Sequence, residues 1–369
     1  RPGGLGGEAY TLPAIYRLRV DPNRASITEG LGATPLTETA VKNSLHWIGD
    51  SQEPDGRWSP AKSGAGRENR EDGHDRKGAG SQADAGLTGL AILTMAASGN
   101  THQSGPYQEK VRRAMRFLLN GQAADGNLAG RAGLYEFMYS HGIATFALGE
   151  LLAMTNDPNL REPVTRAVGY TIASQDPTTG GWRYTPGQAG DTSQHGWQLL
   201  ALKTANGAGI PIPERTWQGA RRFLDTVSSG THRGLASYRA GQPPTRAMTA
   251  EALACRQFLG LTPESPTSRE AGDYLLGEIP SGEMANLYYW YYGTMAMYQL
   301  QGTYWQQWNE NLRKTLLARQ VKSGPTAGSW DPNTRWDNYG GRIYSTALAT
   351  LCLEAYYRFV PLHGSTPSK

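Results

Sequence analysis

Apolar residues recur along the chain at spacings of three and four positions, which is the pattern of amphipathic helices. Ala40 to Ile48, Val111 to Leu119 and Leu312 to Leu317 show this spacing, and each stretch leads into a short loop that contains glycine. The pattern predicts an all-α chain of twelve helices. They are expected near residues 38–51, 84–97, 107–120, 135–154, 160–174, 193–206, 213–227, 246–260, 267–278, 286–301, 304–320 and 343–359.

A second repeat lies inside every other helix. Aligning these helices without gaps gives one column of small residues, flanked on both sides by columns of mostly large apolar residues. Small residues let neighbouring helices approach closely, while large residues fill the space between layers. The small column reads Ala91, Ala147, Ala201, Ala254, Ala296 and Cys352. The alignment therefore indicates six copies of a helix pair.

The last repeat lacks the atypical polar character of a terminal repeat. Its segment 344–350 closely mirrors the segment 139–145 of an earlier repeat. An open solenoid needs polar capping repeats at its ends, so the six pairs are predicted to close into a single α6/α6 toroid. The domains expected are an N-terminal strap over residues 1–36, the toroid over residues 37–362 and a flexible tail over residues 363–369.

Composition and charge exclude several classes of protein. Apolar residues make up 38% and charged residues 18% of the 369 positions, with a formal net charge of +4, which excludes a disordered tail protein. Positive charge is scattered, and the dense run 67–77 mixes both signs, so nucleic acid is excluded as a partner. No apolar stretch approaches the roughly 20 residues of a membrane span.

The beginning of the chain leaves its compartment open. It starts Arg1-Pro2 without Met, and we interpret it as either a trimmed or a processed chain, from which a targeting segment has been removed. Extracytoplasmic and membrane-associated locations both remain open. Cys255 and Cys352 have no CxxC spacing and lie on non-adjacent inner helices, so they are predicted to be buried free thiols.

Short loops with Gln, then Gly, then in most cases Trp, follow outer helices. The first loop reads Gln-x-x-x-Gly-x-Trp at Gln52, Gly56 and Trp58. The later loops are lengthened or lose the Trp. They hold Gln122 with Gly126, Gln175 with Gly181 and Trp182, and Gln320 with Gly328 and Trp330.

These loops, on six helix pairs, resemble the prenyltransferase and squalene oxidase repeat of squalene-hopene cyclases and protein prenyltransferase β-subunits. The resemblance covers about residues 38–360. In that family the Gln bonds backbone groups at helix ends and the Trp stacks on it, so the motif implies the toroid fold. The resemblance also implies an isoprenoid or other apolar ligand in a central aromatic cavity, and a cyclase-like isomerase if the chain is an enzyme.

The sequence departs from both activities that the resemblance implies. The cyclases protonate an alkene with an Asp-x-Asp-Asp motif, which does not occur here. Its nearest counterpart is Asp191, the candidate acid, with His195 and His141 as candidate catalytic neighbours; a helix cap is the alternative role for Asp191. The transferases hold zinc through Asp, Cys and His, but neither cysteine has an Asp two residues before it. No metal and no cofactor are therefore expected, and catalysis stays open.

The residues just before the small column are expected to line the mouth or wall of the barrel. They are polar and aromatic, unlike the aliphatic columns, as in a binding site within an apolar scaffold. His141 and His195 occupy the same column of consecutive inner helices and are predicted to face each other. Solvated helix ends, and packing of the aromatics between helix layers, are the alternative interpretations. The predicted ligand-binding residues are Asp84, Tyr139, Trp197, Arg246, Tyr288, Trp290 and Tyr344.

Two other function classes fit the same fold. Glycan-active lyases and hydrolases on α/α toroids need paired carboxylates, or a basic residue, beside aromatic platforms. A non-catalytic toroid would bind a protein partner, for which the candidate is the longest insertion, residues 61–79; a solvated linker is the alternative there. The candidate charged residues for glycan chemistry are Asp84, Glu136, Asp191, Arg246 and Asp337.

Overall fold

The computed structural model describes residues 10–282, 285–360 and 362. Within those residues the chain is almost wholly helical, which confirms the all-α prediction. The α-helices are α1 (Ala14–Val20), α2 (Arg24–Glu29), α3 (Pro35–Asp50), α4 (Pro60–Ser63), α5 (Asp84–Ala97), α6 (Gln108–Asn120), α7 (Phe137–Thr155), α8 (Pro158–Ala173), α9 (Thr192–Gly207), α10 (Glu214–Thr226), α11 (Arg246–Phe258), α12 (Pro266–Leu276), α13 (Leu287–Leu300), α14 (Gly302–Arg319), α15 (Asp337–Leu353) and α16 (Ala355–Arg358). A 3-10 helix spans Glu71–Gly73, and the strands β1 (Ser228–Ser229) and β2 (Leu235–Ala236) form an antiparallel pair.

Six helices form a closed inner ring. In the order α5, α7, α9, α11, α13 and α15, each helix contacts the next, and α15 contacts α5. The helices α6, α8, α10, α12 and α14 lie outside this ring. Each of α8, α10 and α12 contacts both inner helices that flank it in sequence, while α6 lies against α5 and α14 lies against α13. Helix α3 closes the outer layer against α14 and α15. The chain is therefore an α6/α6 toroid, as the helix-pair repeat predicts, and each of the twelve predicted helices overlaps an observed one.

The small column lies at the closest packing of the inner ring. All six of its residues are at most 1% exposed. Helix α15 begins six residues before the predicted start because a kink at Gly341, with φ of 68°, joins one extra turn to it. Regular helix resumes after Gly341, next to the predicted position.

The Gln-containing loops join neighbouring helix pairs. Gln52 donates from Nε2 to the carbonyls of Gly56, at 2.9 Å, and of Lys110 on the next outer helix, at 2.8 Å. The indole of Trp58 donates to the Ile48 carbonyl near the end of α3, at 2.7 Å. The indole bond reaches a carbonyl group in the last turn of α3, where a helix leaves carbonyls without intrahelical partners, and the Gln52 bonds link the loop to α6.

The same loop bonding recurs at Gln122, Gln175 and Gln320. In the third loop the turn glycine is Gly180, with φ of 80°, rather than the expected Gly181. Gln320 reaches the Ala40 carbonyl of α3, so this loop fastens the end of the ring to its beginning.

Helices α1 and α2 lie against α16 at the end of the barrel where the inner helices finish. Arg19 of α1 is 3% exposed and is ion-paired with Glu150, near the end of α7. The division into strap, toroid and tail stays a prediction, and the expected tail, residues 363–369, lies outside the described residues.

Both cysteines are buried free thiols, as predicted. Among the described residues, no helix combines the length and the hydropathy that crossing a membrane requires.

Candidate functional site

The N-terminal ends of the inner helices meet at one mouth of the barrel, where side chains from three helices are hydrogen-bonded in series. Tyr139, in the first turn of α7, shares a hydrogen bond with the hydroxyl of Ser193, in the first turn of α9. Ser193 Oγ lies 2.8 Å from the hydroxyl of Tyr288, in the first turn of α13. We call the end of the barrel that holds Tyr139, Ser193 and Tyr288 the tyrosine mouth.

A buried carboxyl group ends this series. The Tyr288 hydroxyl donates to Glu251 Oε2 at 2.8 Å, and the Glu251 side chain has no exposed surface. Burial raises the pKa of Glu251 well above its usual range, although the hydrogen bond from Tyr288 lowers it. Gly196 of α9 makes room for this group, because a Cβ there would overlap Glu251 Oε1. Burial therefore favours the protonated form of the Glu251 carboxyl, and its contacts with Tyr288 and Gly196 fix its position inside the barrel.

A second buried carboxyl group lies two residues before Ser193. Asp191 is the N-cap of α9, where its Oδ1 accepts from the backbone N–H of Gln194 at 2.8 Å, while its Oδ2 accepts from the hydroxyl of Tyr238 at 2.9 Å. Burial raises the pKa of Asp191 to about 6, although these two hydrogen bonds and Arg183 lower it. Asp191 is therefore both the helix cap that the sequence allows and a carboxyl group that titrates near neutral pH.

Half-buried residues lie between Asp191 and the protein surface. The Tyr184 and Tyr238 hydroxyls lie 2.7 Å apart, so Tyr184, Tyr238 and Asp191 form a chain of hydrogen bonds. Arg183 Nε lies 3.3 Å from Asp191 Oδ2, and the Arg183 guanidinium lies over the ring of Tyr184, 4.9 Å from its centre. The Tyr184 ring also meets the ring of Tyr135 edge-on, with centres 5.1 Å apart. Aromatic surface therefore leads from the exterior to the acid.

Residues 61–79, which we call the mouth loop, lie against the segment that leads into α15. The backbone N–H groups of Gly66 and Arg67 donate to the carbonyls of Tyr339 and Asn338, at 3.1 and 2.9 Å. The loop is therefore attached by its backbone to the start of an inner helix.

Side chains add to this attachment. Arg335 forms ion pairs with Glu71 and Asp72 of the mouth loop. The guanidinium of Arg76 lies over the ring of Trp336, 5.1 Å from its centre. Both contacts hold the mouth loop at the tyrosine mouth.

The two predicted histidines do not face each other. His141 Nδ1 accepts from the backbone N–H of Leu128 at 3.1 Å, and its Nε2 lies 2.8 Å from the hydroxyl of Thr171, on the outer helix α8. Thr346, at the matching position of α15, likewise accepts from the backbone N–H of Trp330. Burial lowers the pKa of His141 to about 3. The hydrogen bonds of His141 are those of a group that fastens a loop to its helix.

His195 also points toward its outer helix. Its ring stacks on Phe223 of α10, with centres 4.7 Å apart, and lies 5.4 Å from the ring of Trp182. Burial lowers its pKa to about 3, so the ring is neutral. His195 is on the same helix as Asp191, but its contacts are with the outer layer of the toroid.

Two further predicted residues are held in ion pairs at helix starts. Asp84, at the start of α5, lies 3.0 Å from Arg131 Nη2 and 3.5 Å from Arg57 Nη1. Arg246, at the start of α11, lies over the ring of Tyr274 on the outer helix α12, 3.5 Å from its centre. Asp84 therefore belongs to the barrel end that holds the mouth, whereas Arg246 points toward the outer layer.

The predicted aromatic wall is divided between the mouth and the core. Tyr344 is half-buried, and burial, together with the charges of Asp337 and Glu251, raises its pKa well above its usual range. Trp197 stacks on Tyr291, with ring centres 5.4 Å apart, and both are 1% exposed. Trp290 is equally buried. Trp197 therefore packs inside the barrel, Trp290 is buried in the protein interior, and Tyr344 joins Tyr139 and Tyr288 at the mouth.

Sequence patterns did not predict four residues of this site, which are Glu251, Tyr238, Tyr184 and Arg183. The sequence does mark Glu251 as unusual. It stands between two alanines, three positions before the small column and on nearly the same helix face. A charged residue at such a place is buried and needs partners. The other three lie in loops, where helical periodicity gives no information about position.

No metal centre is evident at this site. Nowhere in the ranges 10–282 and 285–360 do three His, Cys, Asp or Glu side chains converge as a bound metal ion would require.

No protein-family profile matches this chain. A comparison with curated proteins likewise finds no match.

Solved structures that share the fold include several glycoside hydrolases. The GH76A α-1,6-mannanase from Salegentibacter sp. HEL1_6 is 11% identical, with a TM-score of 0.58 over 87% of this chain and 98% of the mannanase. An α-amylase from Clostridium perfringens is 11% identical, with a TM-score of 0.57 over 86% of this chain and 98% of the amylase. A family 76 glycoside hydrolase from a bovine Bacteroides thetaiotaomicron strain is 10% identical, with a TM-score of 0.55 over 87% and 77% of the two chains. At these identities the likeness shows the toroid fold.

These comparisons correct the expected kinship with squalene-hopene cyclases and protein prenyltransferases. The structural neighbours are glycoside hydrolases, and one was solved with α-1,6-mannotriose bound. The predictions of an isoprenoid ligand, of an apolar partner and of a cyclase-like isomerase are therefore wrong. Packing agrees with this correction, because the aromatic run 288–292 is at most 7% exposed and is packed among other side chains rather than walling an open apolar cavity.

The possible protein partner at residues 61–79 is not tested by these comparisons and stays a prediction. Backbone groups and acidic side chains of the mouth loop are bonded to the segment 335–339 of the same chain. These groups are therefore engaged within the chain, whereas other residues of the loop are exposed.

Proposed function

We propose that this protein is a glycan-active enzyme, a glycoside hydrolase that works at the tyrosine mouth with Asp191 as its general acid. The observation that carries this proposal is the environment of Asp191, a fully buried carboxyl group whose pKa is raised by burial to about 6. A general acid works best when its pKa lies near the working pH. The glycoside hydrolases among the structural neighbours support the class of reaction.

The chain of hydrogen bonds from Tyr184 through Tyr238 fixes the position of Asp191. Tyr238 donates to Oδ2, and Gln194 donates its backbone N–H to Oδ1, so both oxygens are held in place. Tyr184 and Tyr238 are half-buried, and the acid therefore lies just inside the surface. A sugar that displaced the Tyr238 hydroxyl would place its glycosidic oxygen where the proton of Asp191 is available.

The aromatic residues at this end suit a sugar better than a hydrocarbon. Tyr135, Tyr184, Trp336 and Tyr339 are half-buried and combine an apolar ring with a polar group. Such residues provide a ring face for the apolar face of a sugar and a hydrogen-bonding group for its hydroxyls.

A hydrolytic pair needs a second carboxylate. We assign Asp84 to this role, because it is ion-paired with Arg57 and Arg131 at the same end of the barrel. We assign Glu251 a positioning role, because burial favours its protonated form and it reaches the mouth only through the hydroxyls of Tyr288 and Ser193.

The experiment that tests the proposal is an assay of glycan cleavage. Purified protein would be incubated with a panel of neutral and acidic polysaccharides, including α-1,6-mannan, and the new reducing ends would be separated and identified. We expect cleavage of at least one polymer and a loss of at least 100-fold in rate for Asp191→Asn. The Asp84→Asn variant should lose a similar factor.

The matched control is Glu354→Gln, which replaces a buried carboxyl group at the opposite end of the barrel. It should keep the wild-type rate. Binding of a glycan without cleavage would remove the catalytic role of Asp191 and leave a binding module, and failure to bind any glycan would overturn the proposal.

A further inference from the structure

The charges of two guanidinium groups act on one tyrosine at the tyrosine mouth. Arg183 lies over the Tyr184 ring, with 4.9 Å between Cζ and the ring centre. Arg76 belongs to the mouth loop, and the positive charges of both arginines lower the pKa of Tyr184 against the effect of burial. The tyrosine mouth therefore carries two cations from separate segments of the chain, next to the acid.

Within the described part of the chain, Arg76 forms no ion pair with an acidic side chain of the mouth loop, although the charge of Asp72 acts on it. Glu71 and Asp72 form their ion pairs with Arg335. Arg76 instead donates to the Glu71 carbonyl at 2.5 Å and lies over the rings of Trp336 and Tyr339. Carbonyl oxygens and ring faces stabilise a guanidinium but leave its net charge in place.

The second cation depends on a carboxylate that changes its charge. Arg183 Nε lies 3.3 Å from Asp191 Oδ2, and the guanidinium is 19% exposed, so it is largely removed from water. Asp191 must hold a proton in order to act as an acid, and Arg183 then loses its counter-ion. A buried cation without an anion is costly, and a substrate that supplies the anion removes that cost.

We infer that the tyrosine mouth binds an acidic glycan, with the carboxylate of a uronic acid residue placed between Arg183 and Arg76. This inference rests on the proposed function, since it names the substrate class of the same site. The planar guanidinium group presents parallel N–H donors that match both oxygens of a carboxylate. Tyr184, whose ring lies under Arg183, provides a ring face and a hydroxyl for the sugar that bears this group.

The test compares oligosaccharides that differ only in charge. Uronic acid oligomers, with oligogalacturonate, oligoalginate and glucuronoxylan fragments as the probes, would be titrated into the protein beside their methyl esters, which keep the sugar skeleton and lose the negative charge. We expect at least one acid to bind ten-fold or more tightly than its ester. Arg183→Gln and Arg76→Gln should each reduce this preference to less than three-fold.

Arg221→Gln is the control for a general loss of positive charge. Arg221 lies on the outer helix α10, where it pairs with Glu214, so this variant should keep the preference of the wild type. Arg76 lies on a surface loop, and its variant tests the inference even if Arg183→Gln lowers stability. Thermal unfolding of each variant would be measured alongside.

The outcomes separate the two proposals. Equal binding of acids and esters by the wild-type protein, with neutral glycans also bound, would overturn the acidic-substrate inference and leave the proposed function standing. A charge preference that survives in both arginine variants would overturn the assignment to Arg183 and Arg76. Failure to bind any neutral, acidic or esterified glycan would overturn the proposed function, and this inference with it.

Discussion

The two ends of the barrel both bury carboxyl groups but give them different partners. At the tyrosine mouth, Asp191 and Glu251 accept hydrogen bonds from tyrosine hydroxyls. At the opposite end, which we call the arginine end, Glu150 is ion-paired with Arg19. Glu354 accepts a hydrogen bond from Ser98 there.

Two more arginines serve the arginine end. The Arg358 side chain, which is 3% exposed, donates to the hydroxyl of Tyr291 at 3.1 Å. The backbone carbonyl of Arg358 accepts from the Arg19 guanidinium at 3.3 Å. Arg24 lies over the ring of Tyr357, 4.6 Å from its centre. Helices α1, α2 and α16 cover this end with their own side chains.

Burial of a carboxyl group does not by itself mark a functional site. Both ends remove carboxyl groups from water, which is expensive unless they are paired or neutral. At the arginine end, Glu150 is paired with a cation of the covering helices, burial raises the pKa of Glu354 to about 8, and no half-exposed aromatic path reaches these carboxyl groups among the contacts described. At the tyrosine mouth, burial raises the pKa of Glu251, and the hydroxyls of Tyr238 and Tyr184 connect Asp191 with the surface. We therefore interpret the arginine end as a structural plug and the tyrosine mouth as the site.

The largest expected effect concerns the ion pair of the plug. Replacing Arg19 by Met leaves Glu150 as a buried charge without a partner, and we expect a loss of about 3–5 kcal/mol in the free energy of unfolding. Urea unfolding followed by circular dichroism would measure this loss. Adding Glu150→Gln to Arg19→Met should restore most of it, because the amide still accepts the hydrogen bond that Tyr16 gives to Glu150. A loss below about 1 kcal/mol in the single variant would contradict a structural plug.

The dependence of stability on pH should distinguish the two ends. Burial raises the pKa of Asp191 to about 6 and that of Glu354 to about 8. The unfolded chain releases both protons near pH 4, while the folded chain keeps them, so the unfolded state binds fewer protons in between. Stability therefore falls as the pH rises, by about 1.4 kcal/mol per pH unit for each group. The fall due to Asp191 ends near pH 6, whereas the fall due to Glu354 continues to about pH 8.

Two variants assign these slopes. Asp191→Asn should flatten the curve only below about pH 6, and Glu354→Gln should flatten it up to about pH 8. Urea unfolding at half-unit intervals from pH 4.5 to 8.5 would measure both curves. If Asp191→Asn changed the slope above pH 7, the acid at the tyrosine mouth would have a different pKa from the one on which the proposed function depends.

A smaller effect is expected from filling the space behind Glu251. Gly196→Ala would place a methyl group against Glu251 Oε1 and 2.8 Å from the Tyr292 hydroxyl. Overpacking of this kind typically costs 1–3 kcal/mol. Gly169→Ala is the control, because this glycine lies inside the outer helix α8 with open space around it, and the change should gain about 0.5–1 kcal/mol. Equal effects of the two changes in thermal unfolding would mean that Glu251 is not fixed where the structure has it.

The fold follows from the sequence more directly than the site does. Apolar spacing reports which face of each helix is buried, and the small column reports where two helices touch, so twelve helices and their closure into a ring were predictable. The helix starts also project to one mouth, which brought Tyr139, Tyr288 and Asp191 into the predicted site. The two histidines were misplaced because six residues from the small column correspond to about 120° around a helix, toward the outer layer.

Loop residues and buried charge account for what the sequence did not predict. Tyr238 follows β2 and Tyr184 follows a Gln-containing loop, and no periodicity predicts where such segments return. Glu251 lies among alanines within α11, where an apolar residue is the usual choice. Its role depends on Tyr288, which is 37 positions away in the chain.

The smallest expected effect concerns two tyrosines of α13, which are Tyr288 at the tyrosine mouth and Tyr291 toward the arginine end. Tyr288→Phe removes the hydroxyl that donates to Glu251, and Tyr291→Phe removes the hydroxyl that accepts from Arg358. Each should lower the free energy of unfolding by about 1–1.5 kcal/mol, as is usual for one buried hydrogen bond. Only Tyr288→Phe should also lower the rate of glycan cleavage, because Glu251 and Ser193 lose the hydroxyl that joins them at the mouth. Tyr291→Phe should keep the wild-type rate. A matched fall in both variants would mean that the barrel transmits packing changes along its axis, and that the division between a site and a plug is wrong.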